Sequence, residues 1–152
     1  MEYEIGKVGR IIVARGFDGE DVYKNIEAIA VKEGVNSAAV MVLGGLRRAK
    51  VVCGPKDPAG PLEAIWEQFD DAREIAGVGT IFCDDDQPRL HLHGAIGRGK
   101  SAIAGCPRGG ANVFMLLEVV IIEIEGLSAR RALDGDTGLK ILKLFAGKTV
   151  GG

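Results

Sequence analysis

The chain has 152 residues, a net charge of −2 and an isoelectric point near 5.7. A chain of this length reads as a single domain over residues 1–152, able to bury roughly 70% of its unfolded surface without help from a disulfide or a metal. Hydrophobic residues at 47% and charged residues at 26% exclude a disordered chain, and the acidic balance lacks the bulk positive charge of a stand-alone nucleic-acid binder.

The start, Met1-Glu2-Tyr3-Glu4, is acidic and has no apolar signal-peptide core. The longest apolar run, Val113 to Ile122, contains Glu118 and is too short to span a bilayer. Three cysteines, Cys53, Cys83 and Cys106, are an odd set. Together these features predict a cytoplasmic protein with free thiols and no membrane contact.

In chain order, Arg10 to Arg15 predicts a short strand. Asp18 begins a helix in which Asp18 and Asp21 suit the N-terminal dipole; Val22, Ile26, Ile29 and Ala30 follow at helical spacing, and Gly34 ends it. Ser37 to Leu43 is a buried strand stopped by Gly44-Gly45, with Arg47 to Cys53 as its hairpin partner. Residues 54–61, rich in proline, form a loop. Leu62 to Ala72 carries Leu62, Ile65, Trp66 and Phe69, which fit either a helical stripe or a bent extended segment. Glu74 to Cys83 is a strand, and Asp84-Asp85-Asp86-Gln87-Pro88 an acidic, solvated turn.

The run Arg89 to Ile96 holds the only two histidines, His91 and His93. A strand has a side-chain period of two, so both imidazoles leave one face. Such a pair either sits satisfied in the fold or holds a borderline metal with a third ligand from elsewhere. Cys106, thirteen residues after His93, is that candidate third ligand. Two nitrogens and a sulfur suit zinc, with another divalent transition metal such as iron or nickel as the alternative. Three ligands leave an open position, where a metal can activate water or polarise a carbonyl. Cys53 and Cys83 read as core thiols.

Gly94 to Ser101 matches G-x-x-x-x-G-K-S, the phosphate-binding P-loop spacing. A P-loop needs a helix beginning at the Lys-Ser, whereas here Gly105, Pro107, Gly109 and Gly110 follow. A hairpin turn with exposed Arg98 and Lys100 is the better reading. Arg47-Arg48 and Arg130-Arg131 read likewise as solvated surface. A long strand, Val113 to Glu125, ends at Gly126. Asp134 to Gly138 is a turn before the apolar Leu139, Ile141, Leu142 and Leu144. Many strands with one clear helix predict an α+β fold with mixed or antiparallel sheets.

Several elements occur in a familiar order. Arg15 precedes Gly19-Glu20-Asp21-Val22, and Gly44-Gly45 follows the second strand. Leu90-His91-Leu92-His93 leads to Ala104-Gly105-Cys106, then Leu117-Glu118-Val119-Val120-Ile121 and Asp136-Thr137-Gly138-Leu139. From about Gly6 to Leu144 this resembles the plants-and-prokaryotes-conserved (PPC) domain in its stand-alone prokaryotic form. The resemblance implies an α+β fold related to acetolactate decarboxylase-like domains, a homotrimer, and a metal site near the subunit interface. It also implies a DNA-binding or regulatory role, direct or through a partner. Two departures matter: Cys106 stands where the family commonly has a histidine, and the Arg-Gly-Arg-Pro hook of plant members is missing. Glu118 is a candidate general base or hydrogen-bond acceptor for a metal ligand, or else an edge-facing carboxylate. Arg15 is a candidate for an anionic ligand or a surface residue. The alternative function is a small metal-dependent lyase or hydrolase acting on a small carboxylate or ester, with that small molecule as ligand.

Overall fold

A computed structural model describes residues 1–59 and 63–150. Its elements are β1 (Glu2–Tyr3), β2 (Lys7–Phe17), α1 (Val22–Glu33), β3 (Ser37–Pro55), β4 (Ala64–Phe69), β5 (Arg73–Asp84), β6 (Gln87–Arg98), β7 (Ser101–Glu125), β8 (Ala129–Leu133), β9 (Lys140–Leu144) and β10 (Lys148–Thr149). Sheet with one helix gives the expected α+β class. Pairing is antiparallel except for a parallel bridge between Asp84 and Arg131, which makes the large sheet mixed. No helix among the described residues is long and apolar enough to cross a membrane.

Helix α1 starts later than Asp18. Asp21 is the N-cap, its carboxylate accepting the amide of Lys24 at 3.0 Å, and Gly34 closes the helix in the left-handed conformation at φ 68°. Gly19, at φ 84°, keeps the preceding residues out of the helix. Asp18 is occupied elsewhere: it accepts from Arg47 at 2.6 Å and from the Met115 amide at 2.8 Å. Val22, Ile26 and Ala30, spaced by four, form the buried stripe.

Gly44-Gly45 does not end a strand. Strand β3 runs straight through them for 19 residues, so the expected 37–43/47–53 hairpin is replaced by one long strand. The glycines are needed for close approach. A Cβ at Gly44 would lie 3.0 Å from the Cα of Leu117, and one at Gly45 would strike the carbonyl oxygen of Phe114. At this point the β3–β7 register shifts, and Met115 bulges out at φ 61°. The ambiguous segment after the proline loop is extended, as β4; residues 60–62 of that loop and stripe lie outside the described residues. The P-loop-like run is the β6–β7 hairpin, in which Arg98 pairs with Ser101 around Gly99 at φ 61°.

Strand β3 pairs with both β5 and β7, while β6 pairs with β5 and with the first residues of β7. These four strands close a cycle of pairings, so the sheet curls back on itself. Its concave face and α1 share one core that includes Val40, Val42, Ile75, Ile81, Leu92, Ile96, Leu117 and Ile121. Fully burying a Leu or Ile side chain is worth about 1.5–3 kcal/mol, so this face dominates stability.

The opposite face is bare. Val13, Val120, Met41, Val78 and His93 are successive cross-strand partners over β2, β7, β3, β5 and β6. Val13 is 75% exposed, Met41 44% and Val78 67%, with Leu43 beside them at 59%. An apolar row of this kind is the mark of a surface that another molecule covers.

Candidate metal centre

Strand β6 puts His91 and His93 on that outer face, with Leu90 and Leu92 buried on the other. The two rings lean together instead of standing a full strand repeat apart. Their centroids are 4.9 Å apart at an interplanar angle of 81°, and the Nε2 atoms are 3.1 Å apart. Burial, then the charges of Arg131 and Arg108, lower the pKa of His91. Burial, then His91 and Arg108, lower that of His93. Both rings are therefore neutral near pH 7 and offer lone pairs, the state a metal requires.

Cys106 arrives on β7. The β6–β7 ladder stops at Gly94–Gly105, one residue short of both His93 and Cys106. Nothing bulky fits on the β7 side of that gap, because a Cβ on Gly105 would strike the Val52 carbonyl. Cys106 is 3% exposed, and its ligand atom and those of His91 and His93 all lie within 4.8 Å of one another. Ligands at about 2.0–2.3 Å around a tetrahedral ion stand roughly 3.3–3.7 Å from each other. The imidazole pair, at 3.1 Å, is within about 0.2 Å of that spacing, and the sulfur needs to close by only about an ångström. The donor set fits zinc.

The sulfur has two further neighbours. Arg108 Nε donates to Cys106 Sγ at 3.3 Å, and the Tyr23 hydroxyl lies 4.0 Å away. Burial, reinforced by Cys106, raises the pKa of Tyr23, so its phenol stays protonated. Hydrogen bonds of this type orient a metal-bound thiolate.

His91 and Cys106 form one wall of a cavity of about 700 Å³. Tyr23, Arg108, Arg131 and Lys140 also line it. Arg131 is thus no solvated residue: it is half-buried beside Asp84, and its Nη2 reaches the Thr80 hydroxyl at 3.4 Å. Neither arginine stands out in the sequence as a site residue. The available signal for Arg108 is its place two residues after Cys106, which puts it on the same side of the strand. Arg131 has none, since β8 reaches β5 only through tertiary structure.

Glu118 is exposed on β7, opposite Arg15 and Leu43. It shares the outer face with the histidines but stands three strand spacings from β6, and it is absent from the cavity wall. Within one chain the structure does not bring it to His91, His93 and Cys106. Arg15 stacks on Phe17 at 4.7 Å. Cys53 packs half-buried against the core, as expected, whereas Cys83 sits at its margin and reaches Asn36 Oδ1 at 3.3 Å. The other basic spots are paired: Arg48 donates to Asn112 at 3.0 Å and Arg98 to Asp71 at 3.2 Å.

Comparison with known proteins places the chain in a family. Among solved structures, a metal-containing protein from Archaeoglobus fulgidus is similar with a TM-score of 0.82 and 22% identity, over 93% of this chain and 98% of that one. A plant- and prokaryote-conserved (PPC) protein from Pyrococcus horikoshii gives 0.81 and 20%, over 93% and 96%. A protein from Bacteroides thetaiotaomicron called a "putative DNA-binding protein" gives 0.75 and 20%, over 93% and 99%. No curated protein matches the chain by sequence. The family model of the Plants and Prokaryotes Conserved domain matches residues 3–125, and the chain belongs to that family.

Proposed function

We propose that this protein binds a divalent transition metal, zinc first, through His91, His93 and Cys106, and that it works as a homotrimer. The observation that carries the metal reading is the convergence of two neutral imidazoles and a buried thiol within 4.8 Å. The metal-containing relative supports it. The exposed apolar row from Val13 to Val78 supports self-assembly, and because His93 ends that row, the metal would stand at the margin of the interface. A regulatory role, with DNA reached directly or through a partner, follows the description of the Bacteroides relative. The net charge of −2 favours the route through a partner.

Elemental analysis of tag-free protein, alongside its solution mass, tests this reading. One metal per chain and a mass three times 16.0 kDa are expected. A gel-shift at low salt tests the DNA part: binding that falls steeply with salt supports it, and no retardation removes direct contact.

A second reading, a metal-dependent lyase or hydrolase for a small carboxylate or ester, is favoured by the cavity against His91. A bound metal would supply Lewis acidity toward a carbonyl. The chain's own groups would hold the substrate, with Tyr23 as a protonated hydroxyl at the wall. Glu118 enters this reading only as a residue given by a second copy. Turnover of 2-oxo acids, β-keto acids or esters that disappears in His91→Ala supports it.

A further inference from the structure

The cavity beside the candidate metal centre has an unbalanced charge. Five cations and two carboxylates line it. Lys140 is engaged by Asp84 and Asp85, and Arg89 by Glu27 at 2.9 Å. Asp21 caps α1. Lys24, Arg108 and Arg131 are left with no carboxylate partner among the described residues; Lys24 is exposed on α1, whereas Arg108 donates to the Cys106 sulfur and Arg131 to the Thr80 hydroxyl. Burial lowers the pKa of Arg131, the Asp84 carboxylate partly restores it, and Arg108 is close enough to lower it again. Converging two like charges at a half-buried wall costs free energy unless an anion joins them. A guanidinium fork is also the group best matched to a planar or tetrahedral oxyanion.

We infer that Arg108 and Arg131 form an oxyanion subsite, which holds the carboxylate or phosphate group of a small ligand in the cavity against His91 and Cys106. The cavity volume suits a small metabolite. The arginines alone make the subsite. Its role as the anchor of a ligand that reaches the metal rests on the reading above, in which the ligand's acid group is bound and its other end faces the open coordination position. The anchored class is then a small acid, either a carboxylate or a phosphate ester.

Calorimetric titration with inorganic phosphate and with malonate tests this, using protein freed of metal by chelator and protein loaded with zinc. Saturable binding of one probe to the metal-free protein is expected, weakened at least about tenfold in Arg131→Gln and in Arg108→Gln, as for loss of a charge-assisted hydrogen bond. Arg130→Gln, at an arginine stacked on Phe145 outside the cavity, should bind normally. The tighter probe assigns phosphate or carboxylate. Should the variants fold poorly, protection of Arg108 and Arg131 from phenylglyoxal by the same anion, read by peptide mass, gives the answer in the natural protein. Arginine-dependent anion binding by a protein that takes up no zinc when zinc is offered would uphold the subsite and remove the metal reading. Binding seen only with zinc and unchanged in both variants would overturn the subsite and leave the metal. No binding of either probe in either form would also overturn it.

Discussion

Arg10 grips Glu123 from the neighbouring strand: its Nε donates to Oε2 at 2.8 Å, its Nη2 to Oε1 at 3.0 Å and its backbone amide to Oε2 at 3.1 Å. The same Nη2 also reaches the Glu33 carbonyl at the end of α1 at 2.8 Å, so one arginine ties β2, β7 and the helix C-terminus. These bonds hold the Glu123 carboxyl at about 2, far below its ordinary 4.5. A depressed carboxylate contributes stability that is fully present above the ordinary value and is lost as pH falls through the folded one. The melting temperature should therefore drop between about pH 4.5 and 2, and Glu123→Gln should melt lower at pH 7 but lose less over that window. Parallel thermal melts at several pH values check this; equal slopes would discount the pair.

The metal prediction separates binding from folding. His93 is exposed and His91 half-buried, so His91→Ala or His93→Ala should leave the metal-free protein within about 1 kcal/mol of its original stability. Either change should cut zinc content from one per chain to a small fraction. Zinc at a hundred times its dissociation constant should raise the unfolding free energy of the natural protein by about 2.7 kcal/mol, and that gain should vanish in the variants. Inductively coupled plasma analysis and thermal melts with added zinc read both effects.

How much of this was legible in the residues depends on the range of the interaction. The His-x-His pair is a local signal, because a period of two on a strand puts both rings on one face whatever the rest of the chain does. Spacing and resemblance make Cys106 a candidate, and the β6–β7 hairpin that delivers it is short. The glycines at 44–45 misled because glycine signals both turns and close approach; the backbone of Leu117, some seventy residues away, decides between them. Arg131 was illegible for the same reason. The single bridge from Asp84 brings it into the cavity, and nothing within β8 distinguishes it from the exposed Arg130 beside it.

The outer face makes a prediction of its own. Val78 is 67% exposed in one chain and sits between Met41 and His93 in the cross-strand row. Val78→Asp should cost the isolated chain little, since no core contact is lost, yet place a charge within the apolar row proposed as the interface. The expected result is a fall in solution mass to the 16.0 kDa of one chain, with the far-ultraviolet spectrum unchanged. Sedimentation velocity distinguishes this from misfolding. A natural protein that is already monomeric, or a variant that keeps the full assembled mass, would rule out this face.

Gly79 tests whether the histidines depend on the fit between β5 and β6. It lies on the buried face of β5 opposite Leu92, and a Cβ there would come 2.6 Å from the His91 carbonyl oxygen and 3.1 Å from the Leu92 Cα. Neither neighbour is a flexible side-chain end, so Gly79→Ala must push β6 outward at the point where it presents both imidazoles. Overpacking of this kind costs about 1–3 kcal/mol. The displaced strand should also carry His91 and His93 away from Cys106, which belongs to a different strand held in place by Val52. Zinc affinity should then fall by more than the loss of fold stability explains, and the deficit should persist at low temperature where the variant is fully folded. A variant that is less stable but binds zinc normally would mean that the three ligands can follow the strand's displacement, and that β5 only supports the sheet.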